Sequence, residues 1–269
     1  MKYGIAIGQT ISPSAPLVLG GDYVKSMEYA SNLGYQAVEI HLPDPAQLPA
    51  EALVDACKRL GMEVSTLGTG SMYGLEGLSL IDESPEKQAT IMTRLHNFID
   101  KAAIIGSRVT IGSIKGNIPK GENPEPYVER LAKNLSVITE YAARKNVMIL
   151  LEATNRYENN LLNSGKDVHA FITRYHIKNC KILMDAYHIN IEESSIADCL
   201  KDTGDLLGYV HFADNTRRYP GSGAFQFELL RQAILDYGYD GVLSAECLPL
   251  LDSETAAEKT IAFFRALFG

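Results

Sequence analysis

Eight short runs of aliphatic and β-branched residues recur along the chain: "YGIAIG" (3–8), "AVEIHL" (37–42), "EVSTLG" (63–68), "RVTIGS" (108–113), "VMILLEA" (147–153), "KILMDAY" (181–187), "YVHFAD" (209–214) and "VLSAEC" (242–247). Their near-continuous apolar character predicts strands buried on both faces. Between them the apolar positions change to helical spacing, as in "DYVKSMEYASNLG", where Val24, Met27, Ala30 and Leu33 share one stripe. "PEKQATIMTRLHNFIDKAAIIG" and the closing "ETAAEKTIAFFRALFG" read the same way. Asp22 and the Ser84-Pro85 pair predict helix starts. Gly34, Gly61, Gly106 and Gly238 each stand where a helix must turn into the next strand.

Strands alternating with helices imply parallel pairing through right-handed crossovers. Eight such units close into a (β/α)₈ barrel, an α/β fold read here as one catalytic domain over residues 1–269. A doubly wound open sheet competes, but "IAIGQTISPSAP" lacks the GxGxxG turn that usually follows its first strand. Two connections exceed what a plain barrel needs: "GQTISPSAPLVLGG" after the first strand and "GTGSMYGLEGLSLIDES" after the third. Both leave the C-terminal ends of strands, so they are either decorative loops or a rim over a small-molecule site.

Composition narrows the function. The 269 residues are 46% apolar and carry a formal charge of −8, which argues against a nucleic-acid backbone as partner. The cysteines Cys57, Cys180, Cys199 and Cys247 have no CxxC spacing, so reduced thiols in a cytoplasmic protein are expected. No run approaches the length of a membrane span, and no membrane partner is expected.

The late strands end on polar residues: Glu152, Asp185, His211 and Glu246, one βα unit apart. Barrel closure brings all four to one rim, where three carboxylates would repel each other. A divalent cation removes that conflict, and a histidine with three carboxylates suits Mn²⁺ first, then Co²⁺ or Mg²⁺. His41 ends the second strand at the same rim and is left between a substrate-facing and a structural role. His96, His169 and His176 read as surface residues of helices or loops.

At these residues the chain resembles the sugar isomerase/epimerase superfamily of xylose-isomerase-like TIM barrels, most of all the ketose 3-epimerases that act on tagatose and psicose (allulose). The resemblance covers roughly residues 147–250 and rests on "LEATNRYENNLLN", "LMDAYHINIEES", "VHFADNTRRYPGSG" and "SAECLP". It implies that Glu152, Asp185, His211 and Glu246 bind the metal and that Glu152 and Glu246 form the acid/base pair. Glu158, His188 and Arg217 would hydrogen-bond the substrate; Arg218 would be a solvated loop charge, and "PGSG" would shape the loop carrying Arg217. The implied activity is epimerisation of a ketose at carbon 3 through a cis-enediolate, in a homodimer or homotetramer.

Two departures leave the substrate open. The chain has no tryptophan, although such epimerases commonly use an aromatic wall that includes one. The exit of the fourth strand, "GSIKGNIPKG", offers Ser113, Lys115, Gly116 and Lys120. Lys115 is then either a surface lysine or the ammonium of a phosphate cradle. A sugar phosphate, an aldose–ketose or hydroxypyruvate-like isomerisation, and a non-catalytic sugar-binding barrel are the alternatives. The DNA-repair endonuclease branch, with its many histidines, fits poorly with six histidines and a negative charge.

Overall fold

In the computed structural model, which describes residues 1–10 and 14–269, the eight runs form the wall of a closed parallel barrel. Its strands are β1 (Lys2–Gly8), β3 (Ala37–His41), β4 (Glu63–Gly68), β5 (Arg108–Ile111), β6 (Ile149–Glu152), β7 (Cys180–Asp185), β8 (Leu207–Phe212) and β9 (Val242–Ala245). A two-residue rung, β2 (Leu19–Gly20), lies outside β1 with Ile7 opposite Leu19. The barrel closes where β1 pairs with β9, Lys2 opposite Val242 and Ile5 opposite Ala245.

The helices α1 (Tyr23–Leu33), α2 (Ala50–Leu60), α4 (Pro85–Ile105), α5 (Glu125–Arg144), α6 (Gly165–Arg174), α8 (Phe227–Tyr237) and α9 (Ser253–Phe268) supply the outer layer. On α1, Met27 and Ala30 are fully buried, and Val24 and Leu33 pack against the same core at half burial. The Asp22 carboxylate caps α1 by accepting from Lys25 N at 2.9 Å, and Ser84 caps α4 with Pro85 in its first turn. Gly34, Gly61, Gly106 and Gly238 all take the left-handed conformation that closes a helix.

Two short helices depart from the simple alternation. The connection after β4 folds into α3 (Gly70–Glu76), and the one after β7 holds only α7 (Ala186–Glu192) and a 3₁₀ turn before β8. Among the described residues no helix is long and apolar enough to cross a membrane.

The barrel interior explains where the polar residues stand. Ala37, Leu150, Leu183, Tyr209 and Val242 form an apolar plug. Side chains on a strand return to the same face every second residue. Two positions beyond four of the plug residues therefore stand Glu39, Glu152, Asp185 and His211, in the next layer toward the C-terminal mouth.

Candidate active site

A cavity of about 500 Å³ opens at that mouth. Its lining combines His41, Glu152, Glu158, His188, Arg217 and Glu246 with Pro16, Leu17, Thr69, Ser71, Leu75 and Ser113, among others. Both long connections contribute to the lining, so they form a rim over the site; Ile11, Ser12 and Pro13 of the first lie outside the described residues. Among the described residues no phenylalanine, tyrosine or tryptophan lines the cavity.

At its base, one ligand atom from each of Glu152, Asp185, His211 and Glu246 lies within 4.8 Å of the others. His211 Nδ1 is 3.7 Å from Glu152 Oε1, 3.7 Å from Asp185 Oδ2 and 3.8 Å from Glu246 Oε2. Glu152 Oε1, Asp185 Oδ2 and His211 Nδ1 are buried and lack a hydrogen-bond partner. Orphaned buried polar atoms are costly, and three aimed at one point fit a cation held there. The other polar contacts of Asp185 and His211 direct them inward. Asp185 Oδ1 accepts from Tyr187 N at 2.7 Å, capping α7 and leaving Oδ2 free for the centre. His211 Nε2 donates to Glu39 Oε2 at 2.9 Å, which presents Nδ1 to the carboxylates.

Glu39 is the residue that the sequence reading missed. It is fully buried, and its Oε2 also accepts from Tyr209 Oη at 3.1 Å while Oε1 meets His41 Nε2 at 2.9 Å. Its phase, two residues before His41 in a buried strand, was the available signal. His41 lines the cavity and lies 3.8 Å from Glu246 Oε1, so it stands between Glu39 and the rim carboxylate.

These contacts set the charge states. Burial alone lowers the pKa of His211, but the surrounding carboxylates, Glu39 and Glu246 first and then Asp185 and Glu152, raise it well above the usual range. The negative field that would keep a proton on Nδ1 equally favours a metal cation. Burial works against the Glu39 and Asp185 anions, yet neighbouring histidines hold both carboxyls below their ordinary range. Burial pushes the Glu246 carboxyl up to about 7 against the pull of His211 and Arg217.

The expected substrate-binding residues also reach the cavity. His188 is buried, and Asn155 Nδ2 donates to its Nδ1 at 2.7 Å; its Nε2 lies 3.6 Å from Glu152 Oε1. Arg217 donates from one guanidinium nitrogen to Glu158 Oε1 at 2.8 Å and from another to Glu246 Oε2 at 2.6 Å, above the Tyr187 ring at 4.7 Å. Arg217 has φ 57°, a strained value for a side-chain-bearing residue. Asp214 shapes its loop by accepting from Gly221 N at 2.9 Å and Phe225 N at 3.1 Å. Gly112 serves the site by lacking a side chain: a Cβ there would lie 2.3 Å from Glu152 Oε2.

Several expectations need correction. Lys115 is neither a surface lysine nor a phosphate ligand: it is fully buried, and its Nζ donates to Glu152 O at 2.7 Å and Thr154 Oγ1 at 3.0 Å. The nearby amides are spent inside the turn, Lys115 N on Gly112 O and Gly116 N on Ser113 O, so no phosphate nest forms. His96 and His169 are half-buried on α4 and α6, with His96 against Tyr141; His176 and Arg218 are exposed, as expected.

A family model described as "Xylose isomerase-like TIM barrel" matches residues 27–267. The chain is 28% identical over 233 residues to the 3-dehydro-D-guloside 4-epimerase of Escherichia coli (strain K12), covering 83% of this chain and 86% of that protein. It is 29% identical over 264 residues to the L-ribulose 3-epimerase of Methylomonas sp. (strain DH-1), covering 94% and 89%. A D-allulose 3-epimerase from Methylomonas sp., solved in complex with D-allulose, superimposes with a TM-score of 0.83 at 25% identity, covering 100% of this chain and 97% of that one. The chain belongs to the xylose isomerase-like TIM barrel family and is an isomerase allied to the ketose 3-epimerases.

Proposed function

We propose that this protein epimerises a ketose at carbon 3, with Glu152 and Glu246 as the proton-transfer pair and Glu152, Asp185, His211 and Glu246 holding a divalent cation, Mn²⁺ in the first place. The observation that carries the reading is the convergence of three partnerless buried atoms, Glu152 Oε1, Asp185 Oδ2 and His211 Nδ1, below a cavity lined by Glu152 and Glu246. When bound, the cation supplies electrostatic stabilisation to the substrate oxygens that gain charge as the proton leaves.

The protein's own residues divide the remaining work. Glu152 and Glu246 rise from β6 and the end of β9, with two strands between them, and so flank a substrate from two sides. One carboxylate takes the proton from carbon 3, and its electron pair moves into the adjacent carbonyl to give an enediolate. The other carboxyl returns a proton to the opposite face, which inverts the centre. His188 Nε2 and the Arg217 guanidinium donate hydrogen bonds to the oxygens beside that carbon, and Glu158 accepts from a hydroxyl. Arg217 spans Glu158 and Glu246 in the structure, so a substrate that takes up these donors loosens that bridge.

A second reading keeps the chemistry and enlarges the substrate. The similarity to a 3-dehydro-D-guloside 4-epimerase, together with a 500 Å³ cavity that reaches Ser71 and Leu75, favours a keto-sugar derivative inverted next to its carbonyl. One experiment tests both: the Mn²⁺-loaded protein is incubated in deuterium oxide with free ketoses and a 3-keto-glycoside, and label is located by NMR. Deuterium at carbon 3 of a ketose supports the first reading, and label at carbon 4 of the glycoside supports the second. Label at carbon 1 alone would overturn both in favour of an aldose–ketose isomerase.

A further inference from the structure

Lys115 has no place in that reaction, yet no side chain of its size is more deeply enclosed near the site. Its ammonium meets neutral acceptors, the backbone O of Glu152 at 2.7 Å and Thr154 Oγ1 at 3.0 Å, and no carboxylate pairs with it among the described residues. Burying an ammonium against neutral oxygens is unfavourable, so the arrangement calls for a compensating use.

Both acceptors belong to the segment that leaves β6. Thr154 Oγ1 donates onward to Asn159 Oδ1 at 2.9 Å, and Asn159 Nδ2 donates to Gly116 O at 3.0 Å, which returns the circuit to the residue after Lys115. Asn163 Nδ2 reinforces it by donating to Thr154 O at 2.6 Å and Asn159 O at 2.7 Å. A second set of bonds runs beside the first. Asn117 Nδ2 donates to Glu158 O at 2.9 Å, Asn160 N donates to Asn117 Oδ1 at 2.7 Å, and Asn160 Nδ2 donates to Ile118 O at 2.9 Å. The loops after β5 and β6 are thereby joined into one body. Glu152 enters that body at its backbone carbonyl, and Glu158 is carried on it.

We propose that Lys115 is a positioning residue of the active site, pinning the end of β6 so that the Glu152 carboxylate and the loop bearing Glu158 keep one fixed relation to the other ligands. The inference rests on the functional reading for the roles of Glu152 and Glu158, and on the hydrogen bonds alone for the joining of the loops. Lysine suits the task because its compact ammonium donates along tetrahedral directions from a slender stem; arginine's planar fork cannot replace it in the same space.

The test compares full-length wild type with Lys115→Met, Lys115→Ala and Thr154→Val. Mn²⁺ affinity is read by calorimetry, hydrogen exchange of residues 152–163 by mass spectrometry, and kcat and KM on whichever sugar the wild type turns over. Lys115→Met is expected to weaken Mn²⁺ binding about 10–100-fold, as loss of a partner that orients a ligand does. It should also lower kcat about 100-fold, the effect of roughly a 1 Å misplacement. Exchange at 152–163 should quicken. Ethylammonium should partly restore Lys115→Ala, where a channel is opened, and leave Lys115→Met unchanged. A folded Lys115→Met with wild-type Mn²⁺ affinity and kcat would overturn the proposal. If both lysine variants fail to fold, Thr154→Val decides: it removes one acceptor at almost constant shape, and unaltered Mn²⁺ affinity and exchange there overturn it equally. If no sugar turns over, the functional reading falls, while Mn²⁺ affinity and exchange still decide the role of Lys115.

Discussion

Replacing Glu39 by glutamine separates the field around His211 from its packing. Glutamine keeps the shape, but only one of its two terminal atoms can accept a hydrogen bond. With its oxygen toward His211 and Tyr209 it retains both of those donors, now at 2.9 Å and 3.1 Å from a neutral acceptor, and turns its NH₂ toward His41 Nε2. The His211 bond then changes from charge-assisted to neutral. Hydrogen bonds to charged groups contribute about 1.5–3 kcal/mol and neutral ones about 1 kcal/mol, so the expected loss is about 0.5–2 kcal/mol of support for Nδ1 as a metal ligand. At 1.4 kcal/mol per decade this weakens Mn²⁺ binding by about 2–30-fold. Calorimetric titration of Mn²⁺ into chelator-stripped protein measures the ratio directly. Tyr209→Phe is the control, since it removes the other donor and leaves the His211–Glu39 bond intact. A Glu39→Gln protein that folds normally and binds Mn²⁺ within twofold of wild type would refute the reasoning.

Other expectations follow from single distances. Gly112→Ala places a methyl 2.3 Å from Glu152 Oε2, so the carboxylate must shift; kcat should fall about 100-fold while circular dichroism stays unchanged. Glu152→Gln and Glu246→Gln should each abolish epimerisation, measured by NMR, whereas a dispensable carboxyl would leave turnover intact. Mn²⁺ at 100 times its Kd should stabilise the fold by about 2.7 kcal/mol, raising Tm by about 5–10 °C in differential scanning calorimetry, and excess chelator should reverse the rise. Asn155→Ala removes the donor to His188 Nδ1 at 2.7 Å, and KM should rise more than kcat falls in steady-state assays.

Most of the barrel was legible because its strands are buried on both faces and therefore read as apolar runs. Their ends were less so: the predicted run through Cys247 stops as a strand at Ala245, and Glu246 belongs to the rim rather than the ladder. The four ligands could be found because each is a polar residue at the end of an apolar run. Glu39 escaped because it sits inside one, and two of its donors come from β8, about 170 residues away in the chain. Lys115 was misread for a related reason. A lysine beside glycine looks solvated or anion-binding, and only the carbonyl of a residue 37 positions later reveals its enclosure. Helix α3 was hidden by Gly70 and Gly74, whose low helix propensity is overridden by packing that buries Met72.

The late position of β9 in the chain gives the site a dependence on order of assembly. In a chain emerging from its N-terminus, Glu152, Asp185 and His211 are available before the strand that precedes Glu246 has been made. The donor set is whole only after the last wall strand has docked beside β8. A cation bound by all four residues would tie β6, β7, β8 and β9 together at the mouth, and parting β9 from β8 would forfeit a ligand. Such an ion is expected to slow unfolding by resisting separation of the last strand from β8, the edge that carries Glu246 into the donor set.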